Sequence, residues 1–196
     1  IGWDSGPGNS LIDLYMQKYL NLSFDKDGLL ASNGKCNEIV IREWLKEPFF
    51  HLSPPKSTGR DQFGVEDLEI RLKDITLGSK EDIVSTLAAF SAAVVAQDLN
   101  KLKSTNFIYP VELLVAGGGC RNQSMFNQLV KRCIGVSVKN IEEFGIPALA
   151  REALGFALLA WWKFLRYPAN TPHVTGAKKK AILGICVEPP GFTEQF

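Results

Sequence analysis

Histidine is nearly absent from this 196-residue chain, which carries only His51 and His173, far apart in sequence. Cysteine is scarce and scattered: Cys36, Cys120, Cys133 and Cys186 form no CxxC pair. Structural zinc needs such ligands at short spacings, so no metal site of the chain's own is expected. Lone cysteines on apolar stretches read as reduced core residues of a cytoplasmic protein. An excess of one charge is missing too. With 22 basic and 21 acidic side chains the net charge is +1, which gives no reason to expect nucleic acid or an acidic membrane as partner. The longest apolar run, Ala153 to Trp162, is half of the roughly 20 residues that span a bilayer. No basic stretch followed by an apolar one opens the chain, so neither a membrane partner nor a secretory signal is expected. The chain also opens at Ile1 without methionine, directly on its most chemically loaded segment. It therefore reads as a piece of a longer protein.

What is present is a globular composition, 45% hydrophobic, in a chain long enough to bury roughly 70% of its unfolded surface. Ile1–Asp4 reads as the end of a strand and Ser5–Asn9 as a tight loop. Leu11, Ile12, Tyr15, Met16, Tyr19 and Leu20 then fall at helical spacing, with Asn9 or Ser10 as cap. Asp25–Lys35 reads as a loop and Ile39–Leu45 as a short helix stopped at Pro48. Ser79 and Asp82 launch a long amphipathic helix through Leu87, Phe90, Val94 and Leu99. A strand is expected at Val111–Ala116, a helix from Asn122 to Arg132 and a short strand at Val136–Val138. A helix from Pro147 to Leu165 should place Phe156, Trp161, Trp162 and Phe164 in a core or interface. The tail from Val174 to Val187 reads as turn then strand. Strands alternating with longer helices argue for an α/β domain around a mainly parallel sheet. Ligands in such folds sit where strand ends meet helix N-termini.

Two loops meet that description. In Asp4-Ser5-Gly6-Pro7-Gly8-Asn9 the glycines let backbone N–H groups approach an anion, and the following helix adds its dipole. An aspartate at the strand end can accept a proton there. The same residues equally describe a glycine turn that Asp4 caps. Leu113–Asn122 (LLVAGGGCRN) runs a strand into three glycines and a helix, but lacks the GxGxxG dinucleotide fingerprint; alone it is as consistent with a close-packed turn. Pro54–Arg60 (PPKSTGR) offers two cations and two hydroxyls in a loop stiffened by proline, or simply solvated charges.

Taken in order, GWDSGPGN, DKDG, PPKSTGRDQF, VAGGGCRN, FGIP, REALGFALLAWW and NTPHVTGAKKKAILG resemble the C-terminal half of an anhydro-N-acetylmuramic acid kinase. The resemblance implies an actin-like ATPase (ribonuclease H-like) lobe, a mixed sheet flanked by helices, from a two-lobe sugar kinase. Residues 1–196 would be its C-terminal lobe, with the N-terminal phosphate-binding lobe absent. The implied reaction uses ATP, Mg²⁺ and water to open the anhydro sugar and phosphorylate O6, giving N-acetylmuramic acid 6-phosphate in cytoplasmic peptidoglycan recycling. Asp4 matches the family's catalytic base. Gly6, Gly8 and Asn9 would border sugar and transferring phosphate, with Lys56, Ser57, Thr58, Arg60 and Glu152 also on the substrate side. Gly117, Gly118, Gly119 and Asn122 would lie along the nucleotide. A homodimer through the Trp-rich helix is a further expectation. Trp3 and Ser5 stand where Phe and Thr are usual, Asn140-Ile141-Glu142 where Thr-Thr-Asp is common, and Leu149 where an aspartate is usual. That last departure motivates a competing reading, a lobe that binds nucleotide or muramyl sugar without catalysis; a kinase for a different sugar is the third.

Overall fold

The computed structural model describes residues 2–75, 78–106 and 108–187. Ile1 and the end of the tail lie outside the described residues. The fold is α/β, built around one long helix. In chain order come α1 (Ser10–Leu20), α2 (Leu29–Ser32), α3 (Glu38–Trp44), α4 (Val65–Asp74), α5 (Lys80–Asn106), β1 (Glu112–Val115), α6 (Gln123–Arg132), β2 (Ser137–Asn140), α7 (Arg151–Phe164) and α8 (Pro172–Thr175). Short 3₁₀ turns link several of them.

The organiser is α5. It starts on the expected capping box: Asp82 N donates to Ser79 Oγ at 3.1 Å, and Ser79 N donates to Asp82 Oδ2 at 3.2 Å. Val84, Leu87, Phe90 and Val94 are buried against α1, α3 and α4 in the main apolar core. Ala92 and Ala96 face a second cluster with Leu129, Cys133 and Val136, backed by Leu113, Val115 and Val138. By length and composition α5 resembles a membrane span, yet 72% of its apolar window is buried in this fold. It is a core helix, apolar because both sides are covered.

β1 and β2 pair in parallel, Glu112 opposite Ser137 through Val115 opposite Asn140, joined through α6. Several expectations need correcting. The sheet is not mixed: among the described residues it has two parallel strands. Residues 2–4 form no strand, contributing one backbone bond, Asp4 N to Lys56 O at 3.0 Å. Residues 177–187 form no strand either; Asn170 instead holds this segment through Ala181 N and Lys179 O. The helix α7 packs into no core: Phe156, Trp161 and Phe164 are all exposed. Sequence periodicity alone missed α4, because one position on its buried face is Arg71. That guanidinium is 1% exposed, grips Glu47 through two bonds of 2.8 and 2.9 Å, and also donates to Asp67 at 2.8 Å. It rests over the rings of Phe90 and Trp44 at 4.6 and 4.9 Å.

Candidate active site

A cavity of about 630 Å³ opens where the first glycine loop, the Thr58–Arg60 segment, α5 and the triple-glycine bend converge. Asp4, Gly6, Gly8, Asn9, Gly118 and Gly119 all line it. Two segments far apart in sequence thus meet at one opening, an arrangement that the family resemblance, and neither loop alone, led us to expect.

The first loop is held from several sides. Gly8 takes φ of +55°, the left-handed region that glycine adopts without penalty. Its carbonyl accepts from Ser91 Oγ at 2.7 Å, which ties the loop to α5. Ser10 Oγ donates to Phe63 O at 2.9 Å, and Ser10 N to Pro7 O at 3.0 Å. Asn9 occupies the position before α1 but does not cap it. Its Oδ1 is buried with no hydrogen-bond partner among the described residues. A Cβ built on Gly119 would lie 3.3 Å from that oxygen and 2.5 Å from Met125 Cε, so a larger residue here requires the end of the Met125 side chain to shift.

Asp4 is exposed and in no ion pair among the described residues. Ser57 Oγ donates to its Oδ2 at 2.7 Å and Thr58 N to the same oxygen at 3.0 Å. These bonds orient the carboxylate while Oδ1 carries none. Thr58 Oγ1 donates to Gln62 Oε1 at 2.7 Å, and exposed Arg60 lines the cavity.

Three expected substrate contacts lie off the lining of this cavity, one of them Ser57, whose hydroxyl is bonded to Asp4. Lys56 does not line this cavity: its ammonium is buried 3.5 Å from Asp98 Oδ1 and 4.7 Å from the Phe49 ring centroid. Glu152 is exposed on α7, 3.6 Å from Arg151, and lines neither this cavity nor the next.

A second cavity, about 410 Å³, adjoins the first. Asn9 and Gly118 line both, and Asp13, Asp27, Arg121, Asn122 and Leu149 belong to the second. The first aspartate of DKDG, Asp25, is buried and accepts from Leu30 N and Ala31 N at 2.9 and 3.1 Å, so it caps α2. Asn122 Oδ1 accepts from Met125 N at 3.0 Å and caps α6. Gly117, at φ of +84°, begins the turn that aims α6 at this region. Burial pushes the Asp13 carboxyl above its ordinary range, with Arg60 pulling it back. Asp13 and Arg121 were not among the expected site residues. Their signal was position alone, one turn into the helix after the first loop and two residues after the third glycine. The departures at Asn140 and Glu142 are structurally accommodated: Asn140 Oδ1 accepts from Glu142 N at 3.0 Å, and Glu142 Oε1 accepts from Ala148 N at 3.1 Å.

The sequence profile of the anhydro-N-acetylmuramic acid kinases matches residues 1–189. Proteins of that name from Prochlorococcus marinus strains MIT 9313 and MIT 9303 are 53% and 54% identical over 191 residues. The one from Parasynechococcus marenigrum WH8102 is 51% identical over the same length. Each alignment covers 96% of this chain and 50% of the relative, so the chain spans about half the length of the curated relatives it matches. With the profile covering nearly every residue and identity above half, this chain belongs to the anhydro-N-acetylmuramic acid kinase family.

Proposed function

We propose that this chain is the C-terminal lobe of an ATP-dependent kinase of actin-like, two-lobe construction. The kinase opens anhydro-N-acetylmuramic acid with water and phosphorylates its O6, within cytoplasmic recycling of cell-wall sugar. The observation that carries the reading is the placement of Asp4. It is exposed, held through one oxygen by Ser57 and Thr58, and shares an opening with the triple-glycine bend.

The residues present suit the expected ligands. The N-terminal ends of α1 and α6 follow the two glycine loops, and their N–H groups favour phosphate oxygens. Asn9 Oδ1 is an orphaned acceptor that suits a sugar or ribose hydroxyl donor. Mg²⁺ would be held by the ATP phosphates. ATP with Mg²⁺ supplies the phosphoryl group and neutralises its developing charge. Asp4 takes the proton of the water that attacks the anomeric carbon. As the water oxygen bonds to the anomeric carbon, the bridge C–O bond breaks with its electron pair staying on O6; O6 would then take the γ-phosphoryl group as the bond from the γ-phosphorus to the β,γ-bridging oxygen breaks and ADP leaves. Gly6, Gly8 and Asn9 border the sugar and transferring group, with Thr58 and Arg60 on the same rim. Gly117–Gly119 and Asn122 lie along the nucleotide.

The test is sugar phosphorylation by the full-length protein with ATP and anhydro-N-acetylmuramic acid, beside Asp4→Asn. Loss of a general base lowers turnover by roughly 10²–10⁴-fold, with nucleotide binding retained. The isolated 196 residues are expected to turn over neither substrate. Wild-type turnover by Asp4→Asn, or appreciable turnover by the isolated chain, would contradict the reading.

A further inference from the structure

A second carboxylate, which does not line the cavity, bonds to the residue that precedes Asp4. Asp98 on α5 is 6% exposed. Its Oδ2 accepts from Trp3 Nε1 at 2.6 Å, and its Oδ1 faces Lys56 Nζ at 3.5 Å. The two side chains of that ion pair are 7% and 2% exposed. Lys56 Nζ also sits 3.5 Å from Phe49 O. Lys101, which donates to Phe50 O, belongs to the same charged group; burial lowers its pKa, against the pull of Asp98 and with the help of Lys56.

The arrangement matters because of what neighbours it in the chain. Trp3 immediately precedes Asp4, and Lys56 immediately precedes Ser57. The Lys56 carbonyl accepts from Asp4 N at 3.0 Å, while Ser57 Oγ and Thr58 N hold the Asp4 carboxylate. The contacts therefore close a ring: Asp98 to Trp3, along the chain to Asp4, across to Ser57, back to Lys56 and so to Asp98. A carboxylate within that ring cannot swing without breaking one of its members. The desolvation cost of burying an ion pair largely offsets what the pairing returns, so its stabilising value is small and its geometric effect is the larger one. The indole leg is absent wherever phenylalanine fills position 3; the Lys56 leg is independent of it.

We propose that Asp98 is a positioning residue for Asp4, fixing both the segment that carries the base and the segment that holds its carboxylate. The inference rests on the reading of Asp4 as the base. Reaction rates are steep in such placement, since a misplacement of about 1 Å can cost 10²-fold.

The experiment compares Asp98→Asn with the double variant Asp98→Asn/Lys56→Met in the full-length protein, measuring kcat, KM for sugar and ATP, and Tm. Asparagine keeps an acceptor for Trp3 but strands the buried Lys56 cation, so the single variant loses stability. Removing both charges is close to neutral for folding, so the double variant returns towards the wild-type Tm. Positioning predicts that its kcat nevertheless stays about 10- to 100-fold low, with KM for both substrates within a factor of three. A purely structural pair predicts that kcat recovers with Tm, which would overturn the proposal, as would an effect confined to KM. Asp4→Asn separates the two levels. An inactive Asp4→Asn beside a fully active double variant sinks only the positioning role, whereas an active Asp4→Asn sinks the base itself.

Discussion

The part of the chain from α7 onward is no less apolar than the part up to the end of α5, yet the first region and α7 have opposite fates. In the first, Leu11, Ile12, Ile41, Phe50, Phe63 and Phe90 are each no more than 2% exposed. In the second, α7 has no buried residue, although its sequence, REALGFALLAWWKF, is apolar around most of its circumference. A helix of that composition normally lies within a core. The difference teaches that apolar composition specifies burial only when a complementary surface is on the same chain. Here α5 supplies that surface twice, once to the helices before it and once to α6 and the β1–β2 pair. The cavity holding Asp4 is built almost wholly on the packed side, where α5 contributes Ser91, Ala92, Val94 and Val95 to its wall.

The largest expected effect probes the packed side. Phe90 is 0% exposed and meets Trp44 and Phe50 edge-on at centroid distances of 5.0 and 5.4 Å. It also supports the Arg71 guanidinium. Phe90→Ala removes the ring and leaves a cavity under a buried cation, so about 3–5 kcal/mol of unfolding free energy should be lost. Denaturant titration of the two chains measures it. A loss under 1 kcal/mol would mean that the first region is no tighter than the second.

Local chemistry explains which parts were legible in the sequence. The Ser79–Asp82 cap and the two glycine loops follow from turn residues and helix starts, which act over a few positions, whereas their meeting at one opening was expected only from the family resemblance. By contrast, α4 was hidden because Arg71 occupies a core position, which Glu47, distant in sequence, makes tolerable together with Asp67. Lys56 read as a ligand-facing cation because nothing near it in sequence announces Asp98, and Trp3 reaches the same carboxylate across 95 positions. The exposure of α7 was illegible for the complementary reason. Its periodicity says that it wants a partner, not whether this chain contains one.

A smaller effect tests how α3 and α6, on the two sides of α5, are joined. Arg132 on α6 grips Glu38 on α3 through bonds of 2.6 and 3.2 Å. Burial pushes the Glu38 carboxyl up, but the bonds and charge of Arg132 outweigh it and hold it below its ordinary value of 4.5. A carboxylate lowered in the folded state stabilises above that ordinary value, and the contribution fades as pH falls through the lower, folded one. The pair is partly exposed, so it contributes about 1 kcal/mol or less. Glu38→Gln should therefore lower Tm by about 2–4 °C at neutral pH, and the gap should close as the pH drops well below 4.5. A gap that persists unchanged into strong acid would show that the carboxylate charge is not what joins α3 to α6.

The smallest expected effect is on α7 itself. Phe156 and Phe164 are 71% and 77% exposed, so truncating either removes little packing from this chain. Phe156→Ser and Phe164→Ser should each change unfolding free energy by no more than about 0.5 kcal/mol, against several for Phe90→Ala. The same substitutions shrink an exposed apolar surface also carrying Leu154 and Trp161, so binding of an apolar dye to the 196-residue chain should fall. The two readouts pull in different directions, and that makes the comparison breakable. If Phe156→Ser costs several kcal/mol, the ring is buried in solution and the helix has found a surface on its own chain. If dye binding is unchanged while stability is too, the apolar face is covered by another copy at the concentration used, which dilution would reverse.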